Sequence, residues 1–424
     1  MADDDIVLTE YFKEVRVIDE ATEKLDIIKE LVENKDDDDP FYICDIGDIV
    51  QKYENLVLKM PRVVPFYAVK CNPDPTVLKA MAAMNASYDC ASQREIASVM
   101  ENGVTGDQII FANTAKMNSH MIFAKRVGVE MLTVDGEPEL HKIKSVFPEA
   151  KIVIRFRCDS ASSGATFSKK FGCDAVDDAP KLVKLSKEMG LNIHGFCFHV
   201  GTQSADPDAF ARGIKICVGL IEYSRSLGFK DANLIDIGGG FPDEDGLVSI
   251  DKFAEVINKA LENVDPSIKV ISEPGRYVVT SAITLATFIL GKNIAVDEEN
   301  ETRYTYYIND GLFNSFMTKM MQIQEFLPIP MTLFRESSTG DAKCSTIYGQ
   351  TATKGDCVVE DCLLPELNVG EMLIWPKKGA YALAGVRKVF NIPRPIVFHY
   401  AKKSFWAQHK SVFQYNLKKK MIEC

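Results

Sequence analysis

A chain of 424 residues, 46% hydrophobic and 26% charged, is long enough for one barrel-sized domain and a second smaller one, each with a full apolar core. The formal charge of -11, with acids scattered apart from short clusters at Asp3-Asp4-Asp5 and Asp36-Asp37-Asp38-Asp39, argues against a nucleic-acid or anionic-membrane surface. Eleven cysteines, odd in number and without C-x-x-C spacing, read as reduced thiols with no metal site; an acidic N-terminus and no apolar run of about 18 residues point to a cytoplasmic protein.

Residues 1–45 hold a helical stretch at 22–33 and a strand at 41–45, read as an N-terminal segment that packs with a later β domain. From 63 to 273 short β-branched runs alternate with longer amphipathic stretches. Eight runs are legible, at 63–71, 87–90, 108–113, 131–134, 151–157, 194–200, 233–237 and 269–273. This pattern predicts an α/β fold, a closed (β/α)8 TIM-like barrel over 46–283. Helical connectors are read at 74–84, 93–101, 180–189, 208–227 and 250–263, the first opened by an Asp74-Pro75 cap. Beyond 283 the texture turns β-rich without helix alternation, predicting a C-terminal β domain over 284–424 that closes in a solvated Lys418-Lys419-Lys420.

Chemistry-bearing residues fall at the C-terminal ends of the barrel runs, the face where such barrels place their active sites. Lys70 ends an apolar strand, and a desolvated lysine is rare unless paired or reactive with a carbonyl. Gly238, Gly239 and Gly240 offer backbone N–H groups unobstructed by Cβ, which suits a phosphate, and the planar fork of Arg276 matches phosphate oxygens. Glu273 could hold a pyridine nitrogen protonated, and His199, beside Phe198, could cover a cofactor ring. Asp89 and Arg155, charges closing otherwise apolar strands, are candidate polar neighbours. The combination describes a pyridoxal 5'-phosphate site, with low polarity and neighbouring cations expected around Lys70.

The segments Pro65-Phe66-Tyr67-Ala68-Val69-Lys70-Cys71-Asn72, Tyr88-Asp89-Cys90-Ala91-Ser92, Lys170-Phe171-Gly172, Phe198-His199-Val200-Gly201, Asp236-Ile237-Gly238-Gly239-Gly240-Phe241-Pro242, Glu273-Pro274-Gly275-Arg276-Tyr277 and Gly379-Ala380-Tyr381 resemble the eukaryotic ornithine decarboxylase family of fold-type III pyridoxal phosphate decarboxylases. The resemblance runs from about residue 40 into the C-terminal region. It implies an amino-acid decarboxylase of polyamine biosynthesis in which Lys70 bears the cofactor, Glu273 meets the pyridine nitrogen and His199 stacks on the ring. Gly238, Gly239, Gly240, Arg276, Tyr381 and Thr202, the last where the family usually has serine, would hold the phosphate. It further implies a head-to-tail homodimer whose active sites each combine one barrel with the partner's β domain. The stretch corresponding to 116–142, with basic Lys116, Lys125 and Arg126, would be the antizyme-docking region.

Two departures bear on substrate choice. Where the family carries a Tyr-Asp pair that binds the distal ammonium of ornithine, this chain has Met321-Gln322. Where it carries a catalytic cysteine and a second ammonium-binding aspartate, the loop reads Gly349-Gln350-Thr351-Ala352-Thr353-Lys354-Gly355-Asp356-Cys357, which puts Ala352 and Thr353 at those positions. Gln322, Ala352 and Thr353 therefore suit a neutral or polar substrate side chain, and the missing acid at Ala352 raises the prospect of some aldehyde beside the amine. Asp356 and Cys357 restore both groups in reversed order if the loop takes a different path. The alternatives are a conventional ornithine decarboxylase making putrescine and, in another class, a catalytically inactive regulator resembling antizyme inhibitor.

Overall fold

A computed structural model describes residues 10–158, 170–243, 246–296, 298, 300–320, 327–331, 341–385, 392 and 394–423, and the chain divides into two compact units. The first comprises Met1–Tyr11, Val50–Val278 and Ser411–Cys424; the second comprises Phe12–Ile49 and Val279–Lys410. The last fourteen residues thus group with the first unit rather than with the β domain that the sequence pattern predicts for them.

All eight expected runs form strands: β1 Val63–Ala68, β2 Ser87–Cys90, β3 Ile109–Phe111, β4 Met131–Val134, β5 Lys151–Arg155, β6 Asn192–Cys197, β7 Leu234–Asp236 and β8 Lys269–Ser272. Each pairs in parallel with the next, and β8 closes on β1 with Val270 opposite Val63. Phe66, Ile110, Val153, Cys197, Leu234 and Ile271, contributed by six different strands, form a plug across the interior. Each such burial stabilises by roughly 1.5–3 kcal/mol, so the barrel is a packed core rather than a pore.

The five expected connectors are helices, including Pro75–Ala83, where the Asp74 carboxylate accepts from the Thr76 and Val77 N–H groups at 2.9 and 3.2 Å. Two further connectors, Asn118–Arg126 and Glu137–Val146, are helices that the sequence pattern does not predict, as are Ile46–Lys59 ahead of the barrel and Lys403–Glu423 at the C-terminal end. Of the two connectors, the first buries only Met121 and Ala124, and the second buries Glu139 alongside Leu140 and Ile143, so neither has a broad apolar stripe. The expectation of a solvated lysine end fails at Lys420, which is buried with its stem over Gly103. Nearby, Asn416 donates to the Ala83 carbonyl at 2.8 Å.

The second unit is built on a sheet ordered Val15–Ile18, Ile396–Lys402, Phe41–Asp45, Ile283–Val296, Thr302–Ile308, Lys343–Tyr348 and Cys357–Leu364, with Met372–Trp375 pairing beside Ile283–Val296. Helix Lys24–Glu33 places Ile27 and Ile28 on an apolar cluster with Phe41, Ile43, Met372 and Ile374. Among the described residues every cysteine is unbridged, no helix is long and apolar enough to cross a membrane, and no cluster of metal-ligating side chains occurs.

Candidate active site

The barrel gathers the predicted residues at the C-terminal ends of its strands. Lys70 lies in a single 3-10 turn that follows β1, and its ammonium pairs with the Asp89 carboxylate at the end of β2. Asp89 is completely buried, so the nearest charged neighbour of Lys70 is an acid, not the cation expected from the sequence. Arg155 ends β5, with its guanidinium 5.3 Å from the centre of the Phe171 ring. The Nδ1 of His199 accepts the Gly201 N–H at 3.0 Å, which leaves Nε2 to carry the proton of a neutral ring. Burial, then the cations of Arg155 and Lys70, push this imidazole well below its ordinary value.

The loop after β7 needs its glycines. Gly238 and Gly240 hold φ of +65° and +100°, and a Cβ on Gly240 would lie 2.2 Å from the Gly201 carbonyl oxygen. A Cβ on Gly239 would meet the Glu273 carbonyl oxygen at 2.4 Å and His199 Nε2 at 3.3 Å, so this loop lies directly against the ends of β6 and β8. Buried Arg276 donates from Nε to the Thr202 hydroxyl at 3.2 Å, joining two of the residues assigned to phosphate.

Three carboxyls converge beneath this loop. Burial raises Glu273 to about 8, reinforced by the neighbouring Asp236. Burial raises Asp89 to about 7, with Glu273 adding to the shift and Lys70 opposing it. Asp236, the last residue of β7, is likewise lifted by burial to about 7, against the pull of a hydrogen bond from the Gly238 N–H. Asp236 was not among the sequence-derived candidates. Its signal was an acid closing an apolar strand, the same signal that singled out Asp89.

The remaining candidates are not residues of the barrel unit's described part. Tyr381, Ala352 and Thr353 belong to the second unit, and Gln322 lies outside the described residues. Tyr381 holds φ of +66°, a conformation that costs a non-glycine residue about 1–2 kcal/mol. Ala352 and Thr353 are exposed at the tip of their loop, but Asp356 is buried. Its carboxylate accepts from the Leu312 N–H at 2.7 Å, the Thr351 N–H at 3.1 Å and the Thr351 hydroxyl at 2.6 Å. Side chains at Gly311 or Gly349 would strike that carboxylate at about 2.5 Å, so two turns are wrapped around it. Cys357 starts strand Cys357–Leu364 with its thiol towards the Ile347 carbonyl. Asp356, the acid of the reversed pair, is therefore committed to shaping its own loop.

Lys116 also departs from expectation. It is buried and ion-paired with Glu139 at 2.9 Å, with its ammonium donating to the Asn113 and Thr133 carbonyls, so it presents no charge to a partner. Lys125 and Arg126 remain in the last turn of their helix. A separate cavity of about 610 Å3 at the opposite end of the barrel, lined by Arg62, Val64, Lys151, His194 and Lys269, contains none of the candidates.

The profile of the family described as "Pyridoxal-dependent decarboxylase, pyridoxal binding domain" matches residues 46–280, more than half the chain. This protein belongs to that family. Mouse ornithine decarboxylase is 34% identical over 414 residues, covering 93% of this chain and 88% of that one. Antizyme inhibitor 2 of Xenopus laevis is 35% identical over 399 residues, covering 91% and 86%. Among solved structures, the Paramecium bursaria Chlorella virus arginine decarboxylase bound to agmatine superposes with a TM-score of 0.81 at 31% identity, covering 88% of this chain and 99% of that one. The chain is a pyridoxal phosphate-dependent amino-acid decarboxylase of the ornithine decarboxylase family.

The pocket's own chemistry fits that cofactor. Asp89 Oδ1 and Asp236 Oδ2 are buried with no N–H or hydroxyl donor among the described residues, an acid-rich arrangement that a protonated pyridine nitrogen would balance. The glycine loop and Arg276 offer the uncluttered backbone and planar cation that a phosphate requires. When bound, pyridoxal phosphate supplies an electron-withdrawing ring that takes up the electron pair left behind when a substrate carboxylate departs as CO2.

Proposed function

We propose that this decarboxylase acts on an L-amino acid with a neutral or polar side chain rather than on ornithine. Lys70 would condense with the cofactor aldehyde, Glu273 would face the pyridine nitrogen and His199 would lie against the ring. Gly238, Gly239, Gly240, Thr202, Arg276 and Tyr381 would hold the phosphate, with Asp89 and Arg155 as polar neighbours. The working unit would be a homodimer in which Tyr381, Ala352, Thr353 and Gln322 serve the partner's barrel.

The observation that carries the substrate reading is the loop from Gly349 to Cys357. Its tip presents Ala352 and Thr353, and its one carboxylate, Asp356, is consumed by Leu312 and Thr351. A substrate ammonium buried without a carboxylate loses about 3–5 kcal/mol, on the order of a hundred- to several-thousandfold in discrimination. Incubating the holoenzyme with each common L-amino acid and ornithine, and following CO2, amine and aldehyde, tests the reading. Turnover of ornithine at rates far above those on neutral amino acids would overturn it.

A second reading, a regulator that binds antizyme without catalysis, draws on the similarity to antizyme inhibitor 2 and on the altered loop. The cofactor-type residues favour the enzyme, since a binding protein has no physical need for Lys70, His199, Glu273, Arg276 and three unobstructed glycines at one barrel mouth. No CO2 release from any amino acid, coupled with antizyme capture, would favour the regulator.

A further inference from the structure

We propose that Asp236 and Glu273 share one proton in the cofactor-free pocket, and that Asp236 is a positioning residue whose carboxylate holds that proton on Glu273 until a protonated pyridine nitrogen is seated there. The proposal rests on the reading of Glu273 as the partner of that nitrogen.

The geometry starts from two neighbouring strands, β7 and β8, which pair Asp236 with Ile271. One residue, Gly238, then pins both acids: its N–H donates to Asp236 Oδ1 at 2.8 Å, and its carbonyl accepts the Glu273 N–H at 2.7 Å. Asp236 Oδ2 is buried and meets no N–H or hydroxyl donor among the described residues, and the adjacent strands bring the side chain of Glu273 into hydrogen-bonding contact with that of Asp236. Two ionised carboxylates cannot hydrogen bond to each other, so a contact between them requires one proton. Asp236 already receives a backbone N–H, which favours its ionised form, so the proton resides on Glu273 and is donated to Oδ2.

Charge counting agrees. The groups facing the pair are Asp89 and Lys70, which neutralise each other, Arg155, neutral His199, and the thiols of Cys197 and Cys217, which burial keeps protonated. Arg276 is engaged with Thr202 on the phosphate side. Arg155 is thus balanced by a pair carrying a single negative charge, meaning two carboxyls and one proton. The upward shifts of Glu273 to about 8 and of Asp236 to about 7 are what such a pair produces.

Seating a protonated nitrogen exchanges one positive charge for another. The Glu273 O–H bond breaks and the proton passes to a nitrogen that arrives neutral, or to solvent if the nitrogen already carries one. Either way the pair ends as two carboxylates balanced by Arg155 and the ring nitrogen, with one proton fewer than before.

The test compares wild type with Asp236→Asn. The asparagine still accepts the Gly238 N–H, and its amide donates to Glu273, which is then ionised before the cofactor arrives. Calorimetric titration of cofactor-free protein with pyridoxal phosphate, at pH 7 in buffers of different ionisation heat, reads net proton exchange. The variant is expected to take up about one proton more, or release about one fewer, than wild type. Infrared difference spectra of wild type should show the carbonyl band of a protonated carboxyl disappearing as pyridoxal phosphate is added, with no such loss in Glu273→Gln. Equal proton exchange in wild type and Asp236→Asn, or no carboxyl band in wild type, overturns the proposal. If Glu273→Gln instead exchanges protons as wild type does and keeps the band loss, the assignment of Glu273 to the ring nitrogen fails. Should Asp236→Asn not fold, the wild-type and Glu273→Gln spectra decide alone.

Discussion

Gly240→Ala should lower cofactor affinity far more than it lowers stability elsewhere in the barrel, and Gly228→Ala provides the control. Both glycines hold nearly the same left-handed backbone, φ +100° and +101°. At Gly228 nothing lies within 4 Å of an added Cβ, whereas at Gly240 the Gly201 carbonyl oxygen lies at 2.2 Å and Val200 at 3.1 Å. Both variants incur the left-handed penalty of about 1–2 kcal/mol. Only Gly240→Ala adds the cost of overpacking against backbone, about 1–3 kcal/mol, for a total of about 2–5 kcal/mol. The loop relieves that strain by moving, and if it is the phosphate cradle the displacement is read as affinity. Each 1.4 kcal/mol is tenfold, so the dissociation constant of pyridoxal phosphate should rise by about thirty- to several-thousandfold. Titrating cofactor-free protein with pyridoxal phosphate and following absorbance measures it directly. Gly228→Ala should bind as wild type does while melting at a slightly lower temperature. Wild-type affinity in Gly240→Ala, or equal losses in both variants, would refute the assignment of this loop to the phosphate.

The buried acids predict a pH dependence of cofactor-free stability. Glu273 titrates near 8 when folded, above the ordinary 4.5, so its contribution is fully present below about pH 4.5 and is lost as pH rises towards 8. By pH 6 the loss is about 2 kcal/mol; the melting temperature of wild type should fall relative to Glu273→Gln between pH 5 and 8, and parallel curves would contradict the shift. Asp356→Ala should strand the Leu312 and Thr351 N–H groups, at about 1–3 kcal/mol each. The expected kinetic result is a raised KM with cofactor affinity unchanged, whereas unchanged KM would show that the loop plays no part in substrate binding.

Much of the barrel was legible because its strands are short β-branched runs ended by a chemically distinct residue, and Lys70, Asp89, Arg155 and Glu273 each mark such an end. The helix Asn118–Arg126 was not legible because it buries only Met121 and Ala124, and Glu137–Val146 was not because Glu139, ion-paired with buried Lys116, occupies a position that an apolar stripe would normally fill. The same pair explains why Lys116 read as a surface charge. Sequence spacing could not reveal that Asp356 faces inward, because its partners are the distant Leu312 N–H and the adjacent turn at Thr351. The role of Asp236 was hidden for a different reason: it emerges only when β7 and β8 lie side by side and bring a second carboxyl to Glu273.

The most direct test is to reduce the purified holoenzyme with borohydride and map the modified peptide by mass spectrometry. The account predicts a yellow protein that bleaches on reduction and carries one pyridoxyl group, on Lys70. A colourless protein after incubation with pyridoxal phosphate, or a label on any other lysine, would contradict it.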